Sequence, residues 1–361
     1  MNIVFRVDSS FIIGSGHLIR CLTLAKLLNK KIESNIYFIT KRAEKNFNDL
    51  IIGSGFNLIE LDAKNAFPIN DNWLGWTQEQ DFLLFENAMR SINISKFDVL
   101  IVDHYSLDIV WEEKASRLAR KIVVIDDLAN RKHSCNILID QNLALNYQHR
   151  YDDLVTPECQ LFLGVSYCIL RDEFLCEISN SKPRESLNKI FVFFGGVDKD
   201  NLSLKFVNGV MPVLSKSISV DLVIGMANPN KKELKQACAH FSNIQCFEHG
   251  VNIAEMMREA DLAIGAGGAT TGERIFMGLP SIVYSLADNQ IEVSQYLHDI
   301  GLIYYMGDQN RFSAEALMRL IEGFKISPAL LHAKSSELLL VFKHKLSVLC
   351  EEITSDRSDY E

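Results

Sequence analysis

Short apolar runs alternate with longer amphipathic stretches along the first half of the chain. Residues 17–29 are apolar at helical spacing, which predicts an amphipathic helix. Runs rich in Val and Ile, apolar on both faces and separated by helices, predict strands of a parallel, doubly wound sheet. The predicted strands are 3–7, 35–40, 57–61, 98–103, 121–126 and 137–140.

The second half of the chain repeats this α/β alternation after a polar, proline-containing segment at 178–186. We interpret that segment as a linker. It separates two predicted Rossmann-like domains, 1–177 and 187–353, which we expect to face a cleft. Ligands of open parallel sheets bind beyond the carboxyl ends of the strands. The predicted strands of the second domain are 190–194, 219–224, 244–247, 262–264 and 281–284, followed by a mostly helical stretch, 313–353.

Length and charge narrow the class of protein. The 361 residues suit two domains, and the net charge of −9 argues against a nucleic-acid-binding surface. No apolar stretch approaches the roughly 20 residues that a transmembrane helix needs. The eight cysteines occur singly, without a Cys-x-x-Cys pair. We therefore expect a reduced, cytoplasmic, monomeric protein that binds neither nucleic acid nor membrane.

The first candidate site is the glycine loop at residues 8–17, which lies between a predicted strand and a predicted helix. Gly14 and Gly16 permit a tight turn, and His17 falls in the first helical turn. The positive end of the helix dipole favours a neutral imidazole there, which can accept a proton from water. The loop matches neither the P-loop nor the dinucleotide fingerprint. From these residues alone, a general base and a helix-capping histidine are equally good interpretations.

The second candidate site, residues 265–274, contains four glycines and two threonines between a predicted strand and a predicted helix. Backbone N–H groups of such small residues are open to a diphosphate, and Glu273 could accept bonds from ribose hydroxyls. A plain strand–turn–helix connection is the alternative interpretation.

Three weaker signals accompany these loops. Residues 103–108 place the Asp103 carboxylate and the Tyr105 phenol at the end of a strand. Residues 286–290 carry acid and amide side chains that could reach a glycosyl group. Asp198-Lys199-Asp200 has the Asp-x-Asp form that some sugar transferases use to hold a metal, although such triplets usually form turns.

Nine segments of the chain together carry a family likeness: 6–9 (RVDS), 14–17 (GSGH), 20–25 (RCLTLA), 103–105 (DHY), 164–171 (GVSYCILR), 194–196 (FGG), 265–268 (GAGG), 273–274 (ER) and 287–290 (ADNQ). In register, these segments resemble one family, the UDP-2,4-diacetamido-2,4,6-trideoxy-β-L-altropyranose hydrolases of pseudaminic acid biosynthesis. The chain departs from the usual family pattern at Gly272, where a tryptophan is common.

The resemblance implies a glycosyltransferase-B fold and hydrolysis of a UDP-sugar at its anomeric carbon, with inversion and without a metal or other cofactor. It makes His17 the base for the attacking water, with Tyr105 and Asn289 as catalytic residues near the sugar. Predicted ligands of the UDP moiety are Gly195, Gly196, Gly267, Gly268, Ala269, Thr270 and Glu273. Further predicted substrate-binding residues are Asp8, Gly14, Gly16, Arg20 and Gln290.

Two other functions stay open from the sequence. A glycosyltransferase would share the fold and the nucleotide site but pass the sugar to an acceptor hydroxyl. A non-catalytic UDP-sugar-binding protein would share the nucleotide site alone. Hydrolysis needs only one protein base, because UDP is a good leaving group. Backbone N–H donors can stabilise the negative charge that develops on UDP as it leaves.

Overall fold

A computed structural model describes residues 1–10, 13–43, 45–62, 73–248, 250–341 and 343–355. The chain forms two compact units. The first comprises Met1–Asn142, Asn146–Ile169 and the stretch that begins at Lys345. The second comprises Leu143–Leu145 and Leu170–His344.

The described part of the first unit contains a parallel sheet in the order β3-β2-β1-β4-β5-β6-β7. Its strands are β1 (Asn2–Val7), β2 (Asn35–Lys41), β3 (Asn57–Leu61), β4 (Phe97–Asp103), β5 (Ala119–Ile125), β6 (Ile137–Asp140) and β7 (Gln160–Leu163). Its helices are α1 (Gly16–Lys31), α2 (Asp49–Gly53), α3 (Gln78–Ser91), α4 (Ile109–Ala115) and, from the C-terminal stretch, α13 (Leu346–Thr354).

The second unit contains a parallel sheet in the order β10-β9-β8-β11-β12-β13. Its strands are β8 (Lys189–Phe193), β9 (Ser219–Val223), β10 (Ile244–Phe247), β11 (Leu262–Ala266), β12 (Ser281–Ser285) and β13 (Tyr304–Asp308). Its helices are α5 (Asp172–Ile178), α6 (Leu202–Gly209), α7 (Lys231–Cys238), α8 (Ile253–Glu259), α9 (Thr270–Phe276), α10 (Ile291–Asp299), α11 (Ala314–Ile326) and α12 (Pro328–Val341).

Strand order reverses between β1 and β4 in the first sheet, and between β8 and β11 in the second. At the first reversal Val7 pairs with Asp103, and at the second Phe193 pairs with Gly265. Loops that follow adjacent parallel strands diverge there and leave a crevice. The α/β prediction with two Rossmann-like sheets is therefore confirmed, and each predicted glycine loop follows a strand at such a reversal.

A buried aromatic contact with α4 and a capped first turn stabilise α3. Phe85 and Trp111 meet edge to face, with ring centroids 5.1 Å apart. The Thr77 hydroxyl accepts from the Gln80 amide at 3.2 Å, while the Gln80 side chain accepts from the Thr77 amide at 3.1 Å. This reciprocal capping box satisfies two donors that the helix cannot pair internally.

The unit boundary differs from the predicted end of the first domain at 177. Helix α5 packs against α8 and belongs to the second unit. The predicted linker 178–186 is anchored there too, because the buried Arg184 guanidinium donates to the carbonyls of Ala260 at 2.9 Å and Met257 at 3.1 Å. The polar composition and the proline of this segment are typical of a linker, but these long-range hydrogen bonds make it part of the second unit.

The predicted second domain, 187–353, also differs from the structure at its C-terminal end. Helix α13 packs on α1 of the first unit. The Lys121 ammonium donates to the carbonyls of Glu352 at 2.6 Å and Ser355 at 2.7 Å, where the helix leaves its last carbonyls unpaired. Helical periodicity cannot show which sheet a C-terminal helix joins.

Candidate active site

His17 and Asp103 form a buried pair at the reversal between β1 and β4. Nδ1 of His17 lies 2.6 Å from Oδ1 of Asp103. Two acceptors would repel each other at that distance, so we assign the proton to Nδ1, which donates to the carboxylate. Nε2 is then the basic nitrogen, and it forms no hydrogen bond with the described residues. His17 caps no helix backbone group among those residues, so the geometry favours the general-base interpretation over the capping one.

Arg20 binds the same carboxylate from one helical turn further along α1. Its Nε lies 2.6 Å from Asp103 Oδ2, and its Nη2 lies 2.6 Å from Asp103 Oδ1. Such a bidentate pair fixes both the distance and the plane of the carboxylate. The predicted substrate-binding role of Arg20 stays a prediction, but its present contacts make it a support for the His17–Asp103 pair.

The Asp103 carboxylate stays ionised although it is fully buried. Burial alone raises its pKa, but the adjacent charge of Arg20 and the hydrogen bonds from Arg20 and His17 outweigh that effect and hold the pKa well below its usual range. An ionised Asp103 can stabilise the imidazolium that forms when His17 takes a proton.

Tyr105 lies beside the histidine and is held by a second carboxylate. Its ring meets the His17 ring edge to face at 4.6 Å, and its hydroxyl donates to Asp127 Oδ1 at 2.5 Å. Asp127 Oδ2 also accepts from Arg20 Nη1 at 3.0 Å. Burial and the charge of Asp127 raise the pKa of the Tyr105 phenol, which therefore stays protonated.

Trp73 adds an aromatic face to this cluster. Its ring lies 4.9 Å from the Tyr105 ring and 5.7 Å from the His17 ring, measured between centroids. Four separate segments of the first unit contribute to this group of side chains, which we call the His17 cluster: His17, Arg20, Trp73, Asp103, Tyr105 and Asp127.

Asp8 is the first residue of the glycine loop, and its carboxylate accepts hydrogen bonds from three other residues of the first unit. Its oxygens accept from the Lys41 amide at 2.7 Å, from His104 Nε2 at 3.1 Å and from Arg6 Nη1 at 2.5 Å. His104 also accepts from the Ser106 amide through Nδ1 at 3.1 Å, so both of its ring nitrogens are occupied. Contact between Asp8 and substrate stays a prediction, while its present contacts organise the loop.

The predicted glycines of the first loop leave room beside the backbone. Gly14 has a φ of +89°, a value that side chains other than glycine rarely adopt, and its amide donates to Ser10 O at 2.7 Å. Apart from the adjoining residues of the chain and the backbone of α1, no described atom lies within 4 Å of the place where a Cβ on Gly14 or Gly16 would sit. Such space suits a ligand that approaches the start of α1.

In the second unit, the predicted glycines lie at the carboxyl ends of β8 and β11. The Gly196 carbonyl accepts from the Ala227 amide at 2.8 Å, which ties the loop after β8 to the loop after β9. A Cβ on Gly267 would sit 2.5 Å from Ser294 Oγ of α10, so only glycine permits this close approach. Gln290 Nε2 would lie 3.6 Å from a Cβ on Gly268. The structure thus brings Gly267, Gly268 and Gln290 together.

Glu273 and Arg274 follow that turn and are buried. Glu273 Oε1 accepts from Arg171 Nε at 3.0 Å, whereas Oε2 accepts no hydrogen bond from the described residues. Burial raises the pKa of Glu273, against the opposing charge of Arg171. Arg274 donates to the Ala266 carbonyl at 2.7 Å and to Thr271 Oγ1 at 2.9 Å, which closes the turn from beneath.

Other predicted side chains stand at the surface of the second unit. Ala269 is exposed at the start of α9, followed by the half-buried Thr270. Asn289 is exposed after β12, and its catalytic role stays a prediction.

Asp198, of the Asp-x-Asp triplet, is buried and accepts from the amides of Leu202 at 2.8 Å and Ser203 at 3.0 Å, as in an ordinary turn. Within the described residues, no group of three or more His, Cys, Asp or Glu side chains could hold a metal ion.

Two members of the His17 cluster, Trp73 and Asp127, were missed by sequence reasoning. Asp127 directly follows the predicted strand 121–126, which ends in a carboxylate. Nothing in the sequence indicates that the Asp127 side chain contacts Arg20 of α1. Trp73 lies in no motif and far from any predicted strand end. Asp103 was recognised as a nearby carboxylate, and its pairing with His17 emerged from the structure.

Comparison with known proteins tests the family resemblance that the sequence motifs predict. The chain is 29% identical over 279 residues to the UDP-2,4-diacetamido-2,4,6-trideoxy-β-L-altropyranose hydrolase of Campylobacter jejuni. The match spans 77% of this chain and 89% of that relative. The predicted resemblance is confirmed. A family model described as a protein of unknown function, DUF354, also matches residues 199–332, within the second unit.

Solved structures show the fold. MurG of Acinetobacter baumannii superimposes with a TM-score of 0.65 at 13% identity, over 98% of this chain and 99% of its own. The UDP-GlcNAc 2-epimerase of Neisseria meningitidis, solved with UDP-GlcNAc, gives a TM-score of 0.60 at 11% identity over 98% and 99% of the two chains. The predicted glycosyltransferase-B fold is thereby confirmed. None of the helices described for this chain has the length and apolar character needed to cross a membrane.

Proposed function

We propose that this protein is a hydrolase that releases UDP from a UDP-linked 2,4-diacetamido-2,4,6-trideoxy hexose, the chemistry named for its Campylobacter relative. The observation that carries the proposal is the 2.6 Å contact between His17 Nδ1 and Asp103, which leaves Nε2 as a base. A UDP-binding module without catalysis needs no such pair.

In the proposed reaction, Nε2 of His17 takes a proton from water while the water oxygen bonds to the anomeric carbon. The bond between that carbon and the phosphate oxygen breaks, and UDP leaves with the bonding electrons, so the anomeric configuration inverts. Asp103 stabilises the imidazolium, and Arg20 keeps the carboxylate in place. The aromatic rings of Trp73 and Tyr105 suit a sugar that carries acetamido groups at C2 and C4 and a methyl group at C6 in place of hydroxyls.

We further propose that the turns after β8 and β11 bind UDP. The glycine turn at Gly267–Gly268, where β11 leads into α9, supports a diphosphate site, and the buried Oε2 of Glu273, which accepts no hydrogen bond from the described residues, supports a bond to a ribose hydroxyl. The chain would then use no cofactor.

The test is incubation of the protein with UDP-sugars, with UDP release and the sugar product followed by NMR. We expect UDP and free sugar in equal amounts from the diacetamido substrate, an inverted anomer at early times, and no change in rate with a chelator present. UDP release that requires an added acceptor would assign a glycosyltransferase. Binding without any turnover would assign a non-catalytic UDP-sugar-binding protein.

A further inference from the structure

Asp127 links two members of the His17 cluster, Tyr105 and Arg20. One of its carboxylate oxygens accepts from the Tyr105 hydroxyl at 2.5 Å, and the other accepts from Arg20 Nη1 at 3.0 Å. Its side chain is 12% exposed, so both bonds are shielded from water. Shielded, charge-assisted hydrogen bonds of this kind are strong and directional.

The loop that carries Asp127 is rigidly supported by its neighbour. The Asp126 side chain accepts from the Ala129 amide at 2.9 Å and pairs with Arg131 at 2.8 Å. Arg150 Nη2 lies 3.4 Å from the Asp127 carbonyl. Because backbone and neighbouring side chains are tied down, the Asp127 carboxylate has a defined position.

The bond from Tyr105 to Asp127 determines what the phenol can do. A phenol has a single O–H, and here it is donated to a carboxylate. Tyr105 therefore cannot donate that proton to a leaving group or a sugar oxygen while the bond persists. Toward a ligand its oxygen can act only as an acceptor, for an N–H or O–H donor.

Arg20 also binds the Asp127 carboxylate. Asp103 binds its Nε and Nη2 atoms, and Asp127 binds its Nη1 atom. The guanidinium is thus clamped between two carboxylates, and through it Asp127 is connected to the carboxylate that orients His17.

We infer that Asp127 is a positioning residue of the proposed hydrolysis: it fixes the Tyr105 hydroxyl as an acceptor for a donor group of the sugar, and it clamps Arg20 against Asp103. This inference rests on the proposed function. It assigns Tyr105 a role in holding substrate rather than in supplying a proton.

The experiment compares Asp127→Asn, Tyr105→Phe and the double variant with the wild-type chain in the UDP-release assay. Asp152→Asn is the matched control, because Asp152 is an exposed aspartate of the same unit. We expect Asp127→Asn to lower kcat about 10- to 100-fold through misplacement of the cluster, with KM within about threefold. The double variant should be no more than about threefold slower than the slower single variant, since both changes break one linkage.

Each contrary outcome has a definite meaning. Multiplication of the two single effects in the double variant would overturn the linkage, as would an Asp127→Asn rate equal to that of the Asp152→Asn control. If Asp127→Asn fails to fold, Asp127→Glu keeps the charge but displaces the carboxylate, and a wild-type rate in that variant would also overturn the inference. Absence of UDP release from the wild-type chain would refute the proposed function itself.

Discussion

Nδ1 of His17 and Oδ1 of Asp103 lie 2.6 Å apart although the two residues are 86 positions apart in the chain. Their contact follows from the parallel pairing of β1 with β4, which brings Val7 opposite Asp103 and starts α1 above that carboxylate. The pair is preformed by the sheet, so the proposed activation of water needs no prior ordering of mobile side chains.

His17→Gln should lower kcat by about 10²- to 10⁴-fold, because the amide cannot accept the proton of the attacking water. UDP affinity, measured by calorimetry, should stay within about threefold, since the proposed UDP contacts lie in the second unit. The matched control is His149→Gln at an exposed histidine. Loss of UDP binding in the His17 variant, with its fold intact, would contradict the role of His17 as a base.

Asp103→Asn should reduce both turnover and stability. Activity should fall because the asparagine no longer secures the Nδ1-protonated tautomer. The free energy of unfolding should fall by about 3–5 kcal/mol, since Arg20 loses its main buried partner. Urea unfolding and the UDP-release assay measure the two effects. An unchanged unfolding midpoint would show that Arg20 is satisfied without Asp103.

The Asp103 pair should also make the protein sensitive to acid. Its folded-state pKa lies well below the ordinary value of 3.8, because the charge of Arg20 and the hydrogen bonds from Arg20 and His17 outweigh burial. The ionised group therefore stabilises the fold above that ordinary value, and this contribution is lost as the pH falls below it. The unfolding midpoint of Asp103→Asn should fall less steeply with acid than that of the wild-type chain.

Asp140 should have the opposite pH dependence. Burial raises its pKa to about 7, despite the charge of Arg150, and the nearby Asp127 and Asp126 add to the rise. The folded chain then holds a proton between about pH 4 and pH 7 that the unfolded chain has lost, so stability decreases as the pH rises, by at most about 1.4 kcal/mol per pH unit.

Asp140→Asn tests this effect because the amide mimics the protonated acid. Relative to wild type, the variant should gain stability as the pH is raised from 5 to 7.5, as measured by urea unfolding. An equal difference between the two proteins at both pH values would mean that Asp140 ionises normally.

Lys121→Met should loosen the C-terminal helix. The ammonium donates to three carbonyls at the end of α13, those of Glu352, Ile353 and Ser355. Loss of these charge-assisted bonds should cost about 2–4 kcal/mol and increase amide exchange across Leu346–Thr354. Arg120→Met, at an exposed neighbour, is the control. Unchanged exchange in α13 would show that apolar packing alone holds the helix.

Strand prediction succeeded where periodicity was strong and failed at weak sheet edges. The runs around β1, β4 and β5 are apolar on both faces and were identified from the sequence. The edge strand β13 (Tyr304–Asp308) was not, because its side chains are half-buried and it contains Gly307. Pairing with β12 makes it a strand, and that pairing is a tertiary interaction.

Some residues of the candidate site could be predicted from local sequence patterns, and others could not. Local order of strand, glycine turn and helix pointed to His17 and to Gly267–Gly268, because such a turn places the N-terminus of a helix beside small residues. The contacts of Asp127 and Trp73 with Tyr105 depend on loops that converge from different strands, and no spacing in the sequence encodes that convergence.

The sequence by itself therefore determined the types of most elements, the two-sheet α/β class, the family likeness and the histidine at the first glycine loop. These follow from side-chain period and from the backbone freedom of glycine, which act over a few residues. Only the tertiary structure decided that Asp103 and Arg20 orient that histidine, that Asp127 holds Tyr105, and that α13 packs with the first unit. Those outcomes depend on burial and on charge pairing between segments that are distant in the chain.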